Sequence, residues 1–191
     1  MDHVQEIAER ISALKPTEKQ RLFDLLADQG DLPARLSGSA ADQEPLAEPL
    51  FASRPSRAPD YVLIFDGGSR GNPGWGYGSY AIQRVQDNAQ RLERLELGNG
   101  YTSNEAEYDT LLAALQDLIG RIEGAGRQPS DVALEVRGDS GLVINQLTGK
   151  WQAREPRMKE RRGRCLRLLR RFGGVDFRLQ PRAESVRVLG H

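Results

Sequence analysis

Six glycines fall within twelve residues, 67–78, directly after a short apolar run, and they decide what the middle of this chain can be. The stretch 61–82 reads YVLIFDGGSRGNPGWGYGSYAI. Residues 61–65 are aromatic, β-branched or aliphatic, the pattern of a buried strand. Asp66 stands where that strand is expected to stop. Gly67, Gly68, Gly71, Gly74, Gly76 and Gly78 then make a turn that bends tightly and lets a partner come close. A second strand covers 77–85. Burying an unpaired carboxylate is costly, so Asp66 is not core filler. It faces an open, glycine-lined surface suited to a hydrated metal and a phosphate, with Gly67 and Gly68 as points of substrate approach. The plainer alternative is an Asp-Gly turn whose carboxylate bonds its own backbone.

Downstream, strand and helix patterns succeed one another. Residues 91–98, RLERLELG, mix Leu with charge as a half-exposed third strand does. Short turns join the three strands into an antiparallel meander. A helix starts at Ser103 and runs to about Ile122, with Ala106, Leu111, Ala114, Leu115 and Leu118 inward. Residues 132–136 form a fourth strand leading into Gly138 and Asp139. Ser140 caps the helix GLVINQL, which Gly149 closes. Residues 156–172 make a basic amphipathic helix, 175–179 a fifth strand and 184–191 a short closing segment. The order β-β-β-α-β-α-α-β gives an α/β fold, a mixed five-stranded sheet with helices on it.

The first thirty residues differ in kind. Val4, Ile7, Ala8, Ile11 and Leu14 keep helical spacing, as do Leu22, Phe23, Leu25 and Leu26. Pro16 separates the two runs, and Thr17 with Gln20 fits a capping box. A helical hairpin over 1–30 cannot bury its apolar stripe alone. It docks on the main domain, self-associates with a second copy, or binds a protein partner. Residues 31–59 are rich in Pro, Ala, Ser and Gly and keep no period, so they read as a flexible linker. The main domain is 60–191. The lone cysteine, Cys165, excludes an internal disulfide and a cysteine-based zinc site, and favours a cytoplasmic setting. No apolar run is long enough to cross a membrane, and the start MDHVQEIAER lacks a signal-peptide core.

Charge is uneven although the formal total is zero. Residues 1–60 hold 7 Lys/Arg against 11 Asp/Glu, while 150–172 hold 10 against 2. In that basic helix Met158, Cys165, Leu166, Leu169 and Phe172 supply the apolar side. Lys159, Arg161, Arg162, Arg164, Arg167, Arg170 and Arg171 supply a charged side suited to the backbone of a nucleic-acid duplex. Trp151, just before it, packs on the sheet or touches the nucleic acid, and core packing is the commoner role.

Three acids share one placement. Asp66 follows the first strand, Asp139 follows the fourth, and Glu107 lies within the first two turns of the long helix. Strand ends and helix starts along one sheet edge can converge. Carboxylates gathered at one point repel unless a divalent cation sits among them, and hard oxygen donors suit magnesium or manganese. For any one acid alone, a solvated carboxylate at a helix N-terminus is the commoner explanation, and it covers Glu105 and Glu107 alike.

The blocks FDGGSRGNPGWGYGSYAI, TSNEAEYDTLLAAL and VRGDSGLVINQLTGKW resemble, in order, the three signature blocks of the ribonuclease H type 1 family. The resemblance spans about 60–191. It implies the ribonuclease H fold and endonucleolytic hydrolysis of the RNA strand of RNA–DNA hybrids. It also implies two magnesium ions (manganese being the other candidate) and products with 5′-phosphate and 3′-hydroxyl ends. On that resemblance Asp66, Glu107 and Asp139 are the metal-binding acids. Asn72, Ser103 and Asn104 fall on positions that contact the hybrid's minor groove, where 2′-hydroxyls distinguish RNA from DNA.

The chain departs from the family at its end. The family usually places an Arg, then an Asp about seven residues later, as fourth metal ligand. In QPRAESVRVLGH, Arg182 matches the Arg, but Leu189 stands at the Asp position. Arg182 either holds the scissile phosphate or pairs with Glu184. Glu184, His191 and the terminal carboxylate are the nearby substitutes, and His191 can also shuttle a proton near neutral pH. The leading expectation is a two-metal endoribonuclease. The alternatives are a ribonuclease H-fold binding module that lost its chemistry with the fourth acid, and a nuclease for another duplex or a junction.

Overall fold

The computed structural model describes residues 58–190 together with Ile7, Arg10, Ile11, Leu14, Glu18 and Leu22. The chain divides into two compact units, Met1–Glu44 and Pro45–His191. In the first, Ile7, Arg10, Ile11, Glu18 and Leu22 are helical. The rest of the expected hairpin, its capping box and all of the expected linker 31–59 up to residue 57 lie outside the described residues.

The second unit is built on one five-stranded sheet. Its strands are β1 (Tyr61–Gly71), β2 (Gly74–Arg84), β3 (Gln90–Tyr101), β4 (Ala133–Gly138) and β5 (Gly174–Leu179). Its α-helices are α1 (Ser103–Gly124), α2 (Gly141–Leu147), α3 (Pro156–Leu169) and α4 (Arg182–Leu189). The sheet order is β3-β2-β1-β4-β5. β1, β2 and β3 pair antiparallel, and β4 pairs parallel with both β1 and β5. This is the expected mixed sheet. Among the described residues no helix is long and apolar enough to cross a membrane.

Alternation along β1 sorts the core. Leu63 and Phe65 face the side covered by α1, where they join Leu111, Leu115, Leu118, Val136, Leu147 and Leu169 in the main cluster. Val62 and Ile64 face the other side and pack with Ala81 and Leu189 of α4. Met158, Cys165, Leu166, Leu169 and Phe172 are buried, so the apolar side of the basic helix is core as expected.

The glycine-rich segment departs from expectation. It is not a loop: β1 runs on to Gly71 and β2 starts at Gly74, so Asp66 lies inside β1, opposite Ser79 of β2. The pairing of β1 with β4 does end near it, at Ile64 opposite Arg137. Asp66 is therefore at an edge only with respect to β4. The glycines serve helix packing. A Cβ on Gly67 would lie 2.5 Å from the Glu107 backbone nitrogen, and one on Gly78 would lie 1.9 Å from Thr110 Oγ1. Contacts that close exist only where both side chains are missing, so α1 sits directly on the hairpin.

Candidate metal centre and nucleic-acid face

Each acid reaches the site from a different element. β1 carries Asp66, which is 4% exposed. Asp139 follows the last residue of β4, and Ser140 behind it caps α2 by accepting from the Val143 N–H at 3.4 Å. Glu107 is the fifth residue of α1. One carboxylate oxygen from each of Asp66, Glu107 and Asp139 lies within 4.8 Å of the others. That is the one such cluster among the described residues, and Glu184 is not part of it.

The start of α1 separates the roles of its two glutamates. Thr102 is the N-cap. Its hydroxyl accepts from the Glu105 N–H, while Glu105 Oε2 accepts from the Thr102 N–H and hydroxyl, each at 3.0 Å. This is a complete capping box. Burial works against the Glu105 carboxylate, but the Thr102 bonds and the charges of Arg161 and Arg157 outweigh it and hold its pKa below the ordinary value. Glu105 therefore belongs to the helix start. Glu107 does not: its Oε2 is buried with no hydrogen-bond partner among the described residues. Burial first, then the charges of Asp66 and Asp139, push its pKa well above the ordinary carboxylate value. A Ser140 side-chain hydrogen bond and the charge of Arg182 oppose that shift. A buried orphan oxygen among three carboxylates is what a hard divalent cation satisfies, so these residues fit magnesium or manganese.

Beside the acids, Asn72 Oδ1 accepts from the Ser103 N–H at 3.2 Å, joining the hairpin tip to the start of α1. Asn72, Ser103 and Asn104 are thus brought together. Arg182 is the first residue of α4; it is exposed, makes no ion pair with Glu184, and its charge acts on Glu107. His191 lies outside the described residues. Leu189 is 0% exposed, pointing into the apolar cluster under α4. Gly67 and Gly68 are buried, and the space beside them is filled by the α1 backbone and the Tyr77 hydroxyl. Their close approach is to the protein itself, which corrects the expectation of an open glycine-lined surface. Gly67→Ala should accordingly push α1 away from β1. We expect at least a tenfold fall in activity and about 1–3 kcal/mol of lost stability, read by chemical denaturation.

The basic helix also divides. Arg161 donates from Nε to Asp109 Oδ1 at 3.1 Å, pairs with Glu105 at 3.2 Å, and lies over the Tyr101 ring at 5.8 Å. Arg162 donates to the Gln146 carbonyl at 2.6 Å, and Arg171 pairs with Glu123. Arg161 and Arg162 are half-buried and tie the helix to its neighbours, so contrary to expectation they are not free for a duplex, whereas Arg171 is exposed in its pair with Glu123. Lys159, Arg164, Arg167 and Arg170 are exposed. The helical spacing that identified the buried side could not show which cations find partners on α1 and α2. The sequence reading also passed over Arg70 and Trp75 of the hairpin. Arg70 lies four residues beyond Asp66 on the same strand face, and Trp75 is its partner across the hairpin, a pairing only the structure gives.

No family model matches the chain. A curated relative, "Ribonuclease HI" of Halobacterium salinarum, is 36% identical over 139 residues, 70% of this chain and 63% of the relative. The chain thus spans less than two thirds of that relative's length. Among solved structures, RNase H1 from Halobacterium salinarum is similar at 34% identity and TM-score 0.58, over 68% of this chain and 92% of that one. LC11-RNase H1, solved in complex with an RNA/DNA hybrid, is similar at 30% identity and TM-score 0.59, over 66% and 89%.

Proposed function

This chain belongs to the ribonuclease H type 1 family, and on that premise we propose that it is a metal-dependent endonuclease hydrolysing the RNA strand of RNA–DNA hybrids. The observation that carries the reading is the meeting of Asp66, Glu107 and Asp139, drawn from three elements to within 4.8 Å. Asp66, Glu107 and Asp139 would hold magnesium or manganese. When bound, such ions supply charge stabilisation to the attacking and leaving oxygens of a phosphodiester displacement.

The chain's own groups bind and orient the substrate. Asn72, Ser103 and Asn104 form one polar ledge that suits the minor groove and its 2′-hydroxyls. Arg182, exposed and close enough to act on Glu107, neutralises a phosphate at the cut. Lys159, Arg164, Arg167 and Arg170 track the duplex backbone. Arg164→Ala and Arg167→Ala should each weaken hybrid binding across sequences and lower the slope of log K against log salt by about one. The slope is measured by anisotropy of a labelled hybrid over a salt series.

His191 remains a proposal as fourth ligand or proton shuttle, tested by its deletion. The N-terminal helical region is proposed to dock a partner or a second copy, and the lone Cys165 supports a cytoplasmic setting. One observation favours a second reading. Leu189, at the family's fourth-acid position, is buried in an apolar cluster, which supports a binding module with weakened chemistry. Incubating a labelled hybrid with magnesium, with manganese and with chelator separates the two. Metal-dependent cutting supports the enzyme, and binding without cutting under every metal supports the module.

A further inference from the structure

The β1–β2 hairpin overruns the rest of the parallel sheet. β4 stops pairing with β1 at Ile64, whereas β1 and β2 stay paired out to Gly71 and Gly74. Five residues of β1 extend past Asp66, about 16 Å at the rise of a strand. The arm is braced toward its tip. Ser69 donates to the Tyr101 carbonyl at 2.7 Å, and Asn72 accepts from Ser103 at the start of α1.

Period-two alternation places Asp66, Gly68 and Arg70 on one face of β1. Their partners on β2 are Ser79, Tyr77 and Trp75. Arg70 and Trp75 are thus directly opposite each other, on the same face as Asp66 and about 13 Å from it. Trp75 is 40% exposed, unusual for so large an apolar side chain. Its indole N–H is bonded to Glu96 on β3, which restrains the ring while much of the side chain stays open to solvent. Arg70 is exposed and its guanidinium lies 5.7 Å from the Tyr77 ring centroid. A restrained, exposed indole beside an arginine, on a rigid arm, is how proteins stack a base or sugar while neutralising its phosphate.

We infer that Arg70 and Trp75 form a second contact for the nucleic-acid strand running through the acidic site, gripping it a few nucleotides from the cut. This rests on the ribonuclease reading above. Trp75 packs its ring face on a sugar or base, and Arg70 meets the adjoining phosphate. The contact holds the strand without touching the reacting atoms, so it acts on binding and leaves the chemical step alone.

The chain has two tryptophans, Trp75 and Trp151, so Trp151→Phe leaves Trp75 as the sole indole reporter. Full-length Trp151→Phe protein is titrated with a labelled hybrid in chelator, following indole emission and hybrid anisotropy together. The expected result is quenching that saturates with binding. In magnesium, Trp75→Ala should raise KM about tenfold with kcat retained, Trp75→Phe should recover part of the loss, and Arg70→Ala should raise Kd by a similar factor. Both side chains are exposed, so Tm should be unchanged in all three. A hybrid that binds without altering Trp75 emission, and is cut by Trp75→Ala as by the parent, overturns this inference while the ribonuclease reading stands. A hybrid neither bound nor cut under any metal overturns both.

Discussion

Asp66→Asn is expected to lower hybrid cleavage by about a thousandfold or more while leaving the fold intact, since several kcal/mol of charge stabilisation at the phosphate pass through this carboxylate. Asp66 brings a carboxylate oxygen within 4.8 Å of one from each of Glu107 and Asp139, and its side chain is almost wholly buried. The amide keeps the shape and loses the charge. A second effect has the opposite sign. Without metal, the three acids repel, and Glu107 bears it most plainly through burial and the charges of Asp66 and Asp139. Its folded-state pKa is above the unfolded one, so between the two values the native protein binds more protons than the unfolded chain. Stability of the metal-free protein therefore falls as pH rises from the ordinary glutamate value of 4.5 through that raised pKa. Removing the Asp66 charge relieves this. In chelator near pH 8, Asp66→Asn should melt a few degrees above the parent, and the gap should narrow as the pH falls toward about 5. An inactive variant that is also less stable in chelator would mean that Asp66 is a structural residue.

The coincidence of lost activity with gained stability separates a site from a scaffold, and the sequence could foretell only part of it. Strand and helix order were legible because periodicity reports burial directly: Leu63 and Phe65 against Val62 and Ile64, or Met158 and Cys165 on the basic helix. The acids were legible as a set, through the three blocks that resemble the family's, since any one of them alone fits a solvated carboxylate. The extent of the hairpin was not, since glycine reads as a turn in one dimension. Only the third dimension shows that Gly67 and Gly78 are small because α1 lies on them. The sorting of the arginines was hidden for the same reason. Arg161 and Arg164 look alike in the chain, and the difference between them is Asp109 and Glu105 on another helix. Glu105 and Glu107 were likewise indistinguishable until Thr102 was seen to take the first of them.

Leu189 gives the other large effect, and its position in the fold decides what restoring an acid there would do. α4 ends on this residue, and its side chain is fully buried with Val62, Ile64 and Ala81, the cluster on the far side of the sheet from α1. Leu189→Ala should cost about 2–5 kcal/mol, the range for truncating a leucine in a packed core. Leu189→Asp carries the added cost of a buried carboxylate and should destabilise more, unless the new acid swings toward Asp66 and meets a cation. Those two outcomes differ in how they respond to metal. A carboxylate trapped among Val62, Ile64 and Ala81 leaves the protein destabilised to the same degree with and without manganese. A carboxylate that joins the acidic cluster binds metal with the native state alone, so its Tm should climb with manganese concentration more steeply than the parent's. Because Leu189 is fully buried among Val62, Ile64 and Ala81, the first outcome is expected: unfolding at lower denaturant, the same metal response as the parent, and no gain in kcat from whatever protein remains folded.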